Sequence, residues 1–219
     1  MNPRAVAAEA LGTCLLVTAV IGSAIMASRL SLDGGVLLLA NALATGAVLL
    51  VLITIFAPLS GAHFNPAVSL ILALRRDITW PTCAVFTLAQ CLGGVAGTLL
   101  AQAMFDLPLL QTATHIRTGS AQYLAEGVAT FGLILTILGG QRAKGANVAL
   151  LVAAYITAAY WFTASTSFAN PVMALARSLT DTPSGIRPSD APAFVLAEIA
   201  GAITALALSS WLFRQPVQA

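Results

Sequence analysis

The sequence predicts an all-α membrane protein with six transmembrane helices plus two re-entrant half-helices, and three observations carry that prediction. Of 219 residues, 58% are hydrophobic and 8% charged, and the mean hydropathy is +0.91, far from the composition of soluble domains. Several apolar runs reach the roughly 20 residues with which a helix crosses a hydrocarbon core of about 30 Å, and the period-two alternation of a barrel is absent. Two further apolar runs are too short to cross, and each opens with Asn-Pro.

The first span, 5–27, begins directly behind Arg4 and shows no small-residue cleavage pattern leading into a polar domain, so it is read as retained. Further spans fall at 36–57, 82–104, 121–139, 147–164 and 191–213. Between the second and third lies 65–74, "NPAVSLILAL"; between the fifth and sixth lies 170–179, "NPVMALARSL". Both are followed by charged or polar residues and read as half-helices. Proline suits the first turn of a helix, where its missing N–H would be unpaired anyway, and Asn is a good N-cap. Irregular backbone at bilayer depth is tolerated only where it is buried in protein or lines a watery cavity, so the two Asn-Pro breaks imply a cavity. Each helix start presents about half a positive charge, and each Asn amide can donate to a passing oxygen. Such a site welcomes neutral hydroxylated solutes and repels cations.

The whole chain, 1–219, reads as one channel domain built from two repeats, 1–112 and 113–219. "AEALGT" at 8–13 matches "AEGVAT" at 125–130, and "LAQCLGG" at 88–94 matches "LAEIAGA" at 196–202. The Asn-Pro segments lie between, 56 and 44 residues after Glu9 and Glu126, and 25 and 28 residues before Gln90 and Glu198. With three spans per repeat, the second copy is inverted relative to the first, and irregular segments at matched points of an inverted repeat mark a transport site. A cytoplasmic N-terminus puts Arg4, Arg75, Arg76, Arg142, Lys144 and Arg214 inside, against Arg29, Arg117, Arg177 and Arg187 outside; six against four favours both termini cytoplasmic in the cell's inner (plasma) membrane.

A net charge of +2, scattered along the chain, argues against a nucleic-acid partner. Cys14, Cys83 and Cys91 sit in or beside apolar runs without metal-type spacing, and His63 and His115 lack partnering ligands, so no metal is expected. No nucleophile-base arrangement, phosphate-cradling loop or nucleotide motif is present, which argues against an enzyme and against a cofactor.

"SGAHFNPAVSL", the paired "AE" openings and the six-plus-two span pattern resemble the major intrinsic protein family, the aquaporins and aquaglyceroporins, over essentially the whole chain. The resemblance implies a homotetramer in the bilayer with one pore per subunit, conducting water or small neutral solutes passively. It also implies a pore motif of Asn65, Pro66 and Ala67 with Asn170, Pro171 and Val172. Most members carry Arg on the third residue after the second Asn, where this chain has Met173. Carrying over the other filter positions by their distance from the motifs gives Thr45, Ala158 and Ser167. With Met173 these form a ring that is wider and less polar than a water-selective filter, and one that lacks a fixed cationic barrier. "STSFANPVMALARSLTDT" further resembles a bacterial branch associated with arsenic resistance, which implies arsenous acid and methylated arsenicals among the solutes.

Arg177 follows Met173 by one helical turn and has two readings, a positive charge in the outer vestibule or, preferred here, a snorkelling side chain at the half-helix C-terminus. Glu9 and Glu126 are read as braces that accept hydrogen bonds from the re-entrant loops rather than as a proton relay. At Glu198 a carboxyl stands where the first repeat has the amide of Gln90, and a protonated form is considered. His63 is read as a hydrogen-bonded loop residue in preference to a lumenal pH sensor. Gly93 with Gly97, and Ala197 with Gly201 and Ala205, should let helices cross closely. Two other classes compete with the channel: an ion-coupled secondary transporter with broken helices, and a non-conducting structural protein of the same fold plugged by Met173.

Overall fold

In the computed structural model, residues 2–213 are described, and Arg214, counted above among the inward cations, lies outside them. The described residues form eight helices: α1 (Pro3–Leu30), α2 (Gly34–Ser60), α3 (Pro66–Leu74), α4 (Trp80–Met104), α5 (Ser120–Arg142), α6 (Val148–Phe162), α7 (Pro171–Arg177) and α8 (Ala191–Leu212). Caps explain most starts. Asn2, Asp33, Thr79 and Asn147 each accept a backbone N–H of the first turn of α1, α2, α4 and α6, and Pro follows the cap in α1, α3 and α7. Gly61, with φ of 90°, ends α2 in the left-handed region.

Five helices, α1, α2, α4, α5 and α8, are long and apolar enough to cross a membrane. The fifth expected span, 147–164, is a shorter apolar helix: α6 has 15 residues. At 1.5 Å per residue that is about 22 Å, less than a bilayer core. Beyond Phe162 the chain leaves helical geometry and turns inward through Thr166, Ser167 and Ala169, all at positive φ. Much of the outward surface is apolar. Leu92 and Leu196 are 63% and 69% exposed, which suits contact with lipid tails.

The most extensive helix pairings are α1 with α4 and α5 with α8; α2 with α6 joins the two sets. Lipid is as apolar as a leucine side chain, so these pairings rest on close packing. A Cβ on Gly93 would lie 2.2 Å from the Ala10 carbonyl oxygen, and one on Gly201 would lie 2.1 Å from that of Gly127. Both crossings therefore require bare backbone. The half-helices α3 and α7 pack between α4 and α8 and touch one another.

Loops 105–119 and 178–190 close one face of the bundle as a cap. Ala113 N donates to Ser178 O at 3.0 Å, Arg187 N to His115 O at 2.8 Å, and Thr114 N to Asp181 Oδ1 at 2.9 Å.

Candidate functional site

Each re-entrant loop is bent by the same backbone pattern. Residues three before and one before the Asn are left-handed: Ala62 and Phe64 (φ of 51° and 49°) in the first loop, Ser167 and Ala169 (51° and 49°) in the second. Non-glycine residues rarely adopt this region, and the strain needs external bonds to hold it. Buried carboxylates supply them. Glu9 accepts from His63 N at 2.9 Å, Phe64 N at 2.7 Å and Ser60 Oγ at 2.6 Å; Glu126 accepts from Phe168 N at 2.9 Å and Ala169 N at 2.8 Å. Both glutamates are fully buried, and a carboxylate accepting backbone N–H groups makes hydrogen bonds worth about 1.5–3 kcal/mol each.

The loops then meet. Asn65 Oδ1 caps α3 through Ala67 N at 2.9 Å, while its Nδ2 donates to Ala169 O of the other loop at 2.7 Å. Asn170 mirrors it, with Oδ1 accepting from Val172 N at 3.0 Å and Nδ2 donating to Phe64 O at 2.9 Å. Each amide thus serves its own helix start and the opposite loop together.

Beside this junction lies a cavity of about 120 Å³. It is lined by Thr45, Asn65, Ser167, Asn170 and Met173, so the structure brings these expected residues to one surface. Ala158 is not among them. It lies on the exposed face of α6, and the α6 residue that reaches the cavity with Ile156 is Tyr160, 3% exposed, whose hydroxyl is 3.1 Å from Thr45 Oγ1. The reason is geometric. Two residues along a helix turn a side chain to the far side, and counting a fixed distance back from Asn170 ignores how the chain bends between Thr163 and Ala169. Thr45, Tyr160, Ser167 and Met173 thus share the cavity wall, with Tyr160 standing where the expected ring had Ala158.

Arg177 also differs from the preferred reading. It does not snorkel: it is 2% exposed and lines the cavity, its Nε donates to Ser184 O, and its guanidinium carbon lies 3.5 Å from the centroid of the Phe168 ring. Arg117 approaches the same ring at 5.2 Å and donates from Nε to Gly185 O at 2.9 Å. Burial lowers the Arg117 guanidinium from its ordinary value, with Glu126 and Tyr160 opposing. His63 lines the cavity with its Nδ1 2.9 Å from Ser69 Oγ. His115 is exposed in the cap; partial burial, then Arg117 and Arg177, lower its pKa, with Asp181 opposing.

A strained loop pair, held by buried carboxylates and joined through two Asn-Pro helix starts beside a lined cavity, defines the class. The chain belongs to the major intrinsic protein family, whose profile matches residues 1–180, and is a multi-pass membrane protein. It is 60% identical over 211 residues to "Aquaglyceroporin AqpS" of Rhizobium meliloti (strain 1021), covering 96% of this chain and 91% of that protein. It is 36% identical over 163 residues to "Probable aquaporin PIP2-8" of Oryza sativa subsp. japonica, covering 68% of this chain and 57% of that protein. The crystal structure of the aquaglyceroporin from Plasmodium falciparum shares the fold, with a TM-score of 0.72, 19% identity, and coverage of 95% of this chain and 94% of that one.

Proposed function

We propose that the protein is a passive channel for small neutral hydroxylated solutes, glycerol-like polyols first, together with water. Arsenous acid and methylated arsenicals belong to the same class of compact hydroxylated species. One observation carries the reading most. The hydroxyls of Thr45 and Tyr160 stand 3.1 Å apart in the wall of a cavity otherwise lined mostly by apolar side chains such as Met173 and Ile156. A solute hydroxyl passing this pair can exchange hydrogen bonds with it while the solute's carbon face rests on Met173. Deeper in, each Asn amide has committed one N–H to the opposite loop, so its second N–H is left for the solute's next oxygen. Successive oxygens are thus handed from the ring to the Asn pair without a tight site that would trap them.

No carboxylate lines this cavity among the described residues, so a coupling cation or proton would find no anionic partner there, which favours a channel over an ion-coupled transporter. The cationic barrier that Met173 does not provide is assigned to Arg177, one turn further along α7, with the helix starts at Asn65 and Asn170 adding their dipoles. We further read residues 1–112 and 113–219 as inverted repeats, the capped face as external, both termini as cytoplasmic, the host membrane as the inner one, and the assembly as a homotetramer.

The test is stopped-flow light scattering of proteoliposomes under gradients of glycerol and then of arsenous acid, comparing wild type with Met173→Arg. Solute flux is expected to fall sharply in the variant while water flux persists. Equal glycerol flux in the two proteins would remove Met173 from the constriction, and an absence of glycerol flux alongside free water flow would overturn the solute class. Arg177→Ala is expected to raise proton and cation leak in the same vesicles, with Arg177→Lys restoring the barrier; a leak unchanged by Arg177→Ala would end the assignment of that charge.

A further inference from the structure

The two loop braces are built alike, except where Glu198 replaces an amide. In the first half Gln90 Nε2 donates to Glu9 Oε2 at 2.8 Å and to Ser69 Oγ at 3.0 Å, so the carboxylate there meets a true donor. In the second half the matched position is Glu198 on α8, and the position matching Ser69, four residues after the Asn, is Ala174. Glu198 Oε1 accepts from Asn170 N at 3.0 Å. Three consecutive amides, of Phe168, Ala169 and Asn170, are therefore held by two carboxyl groups, both fully buried. Glu198 Oε2 has no donor among the described residues, and the side chain it faces is Glu126, which is itself an acceptor.

Two ionised carboxylates side by side in a buried site repel, and neither can satisfy the other. A proton on Oε2 turns the pair of acceptors into a donor and an acceptor, as in carboxyl pairs that share one proton. The nearby cations form no ion pair with either carboxyl among the described residues. α8 packs on α5, α7 and α3; the ionisable groups on these helices are Tyr123, Glu126 and Arg142 of α5 and Arg177 of α7, and α3 has none. Of these, Glu126 and Arg177 face Glu198, and Glu126 is faced in addition by Arg117 of the loop before α5 and by Tyr160 of α6. Arg177 forms no salt bridge among the described residues, and its guanidinium is committed to Ser184 O and the Phe168 ring.

We propose that Glu198 is a positioning residue that works as a carboxylic acid: its proton, shared with Glu126, holds the Asn170 loop in its conducting shape. This inference rests on the channel reading for its functional half and on geometry alone for its structural half. Removing the proton leaves two charges beneath Phe168–Asn170 and should push the loop out of register with Asn65, to which Asn170 is tied through Phe64. Glutamine at 198 reproduces the acid, since its carbonyl can accept from Asn170 N and its amide can donate to Glu126, and unlike the acid it has no proton to lose.

Two measurements on the full-length protein in lipid decide it. Infrared spectroscopy is expected to show a protonated-carboxyl C=O band that disappears in Glu198→Gln; no such band, or one untouched by that substitution, overturns the shared proton whether or not the protein conducts. Glycerol flux is measured from about pH 6 to about pH 10, the range in which buried carboxyls with raised pKa values titrate. Wild-type flux is expected to be lost on alkalinisation, Glu198→Gln to hold its flux throughout, and Glu198→Ala, which leaves the Asn170 N–H without its acceptor, to have low flux at every pH. Wild-type flux that persists after the infrared band has gone overturns the coupling of proton to loop.

Discussion

In the proposed channel Tyr160 is the side chain on which solute size should turn, because it is larger than Thr45, Ser167 and Met173 beside it on the cavity wall and its hydroxyl lies 3.1 Å from that of Thr45. Tyr160→Ala is expected to raise the flux of a four-carbon polyol relative to glycerol. Tyr160→Phe keeps the bulk and loses only the bond, so it should leave size selection in place and change polyol rates by about 1 kcal/mol, within about tenfold. Relative fluxes of the two polyols in proteoliposomes check both; an unchanged ratio in Tyr160→Ala would remove Tyr160 from the constriction. The importance of Tyr160 had one trace in the sequence. Val152, Ile156 and Tyr160 recur at four-residue spacing and all three line the cavity, whereas Ala158 is out of phase with them. Nothing in the sequence marked the crossed bonds of Asn65 and Asn170 to the opposite loops, since a contact over more than a hundred residues leaves no local pattern.

At the scale of elements, the α5–α8 crossing offers a test in which two neighbouring glycines should behave oppositely. A Cβ on Gly201 would sit 2.1 Å from the Gly127 carbonyl oxygen, a backbone atom that moves only if the helices separate; a Cβ on Gly127 would meet Ala197 O at 3.6 Å, an ordinary contact. Gly201→Ala is therefore expected to cost about 1–3 kcal/mol, as overpacking does, and Gly127→Ala to cost little. Thermal midpoints of the two variants in detergent compare them directly, and equal midpoints would mean that the crossing tolerates a methyl group. The small-residue rows behind this geometry were legible, as were the helices themselves, because apolar runs of membrane length and Asn-Pro caps are local signals. Helix ends were less so. α1 runs to Leu30 rather than 27, carried on by its own backbone ladder, and α7 stops at Arg177 because Ser178 and the residues after it bond into the cap.

For the whole molecule, the cap is where the loop before α5 is tied to the loop after α7, and a charged carboxylate helps to hold it. Asp181 accepts from both the N–H and the hydroxyl of Thr114, at 2.9 and 2.8 Å, and those bonds hold its carboxyl below the ordinary aspartate range. A carboxyl with a depressed pKa lends stability above its unfolded value of about 3.9, and that stability is lost as the pH falls through the lower folded value. His115, in the same cap, has a lowered pKa from partial burial and from Arg117 and Arg177. The opened cap therefore takes up a proton on His115 more readily, and stability already declines as the pH drops below about 6.5. Acid should thus loosen the cap in two steps, the first through His115 and the second through Asp181. Hydrogen exchange at the Thr114 amide, corrected for intrinsic rates, reads both. Asp181→Asn retains an acceptor oxygen but loses its charge, so it is expected to speed exchange at neutral pH and to abolish the lower step. His115→Gln should abolish only the upper step. If wild type and both variants lose protection together over one pH interval, the cap does not open through these two groups, and its acid response belongs to the bundle beneath it.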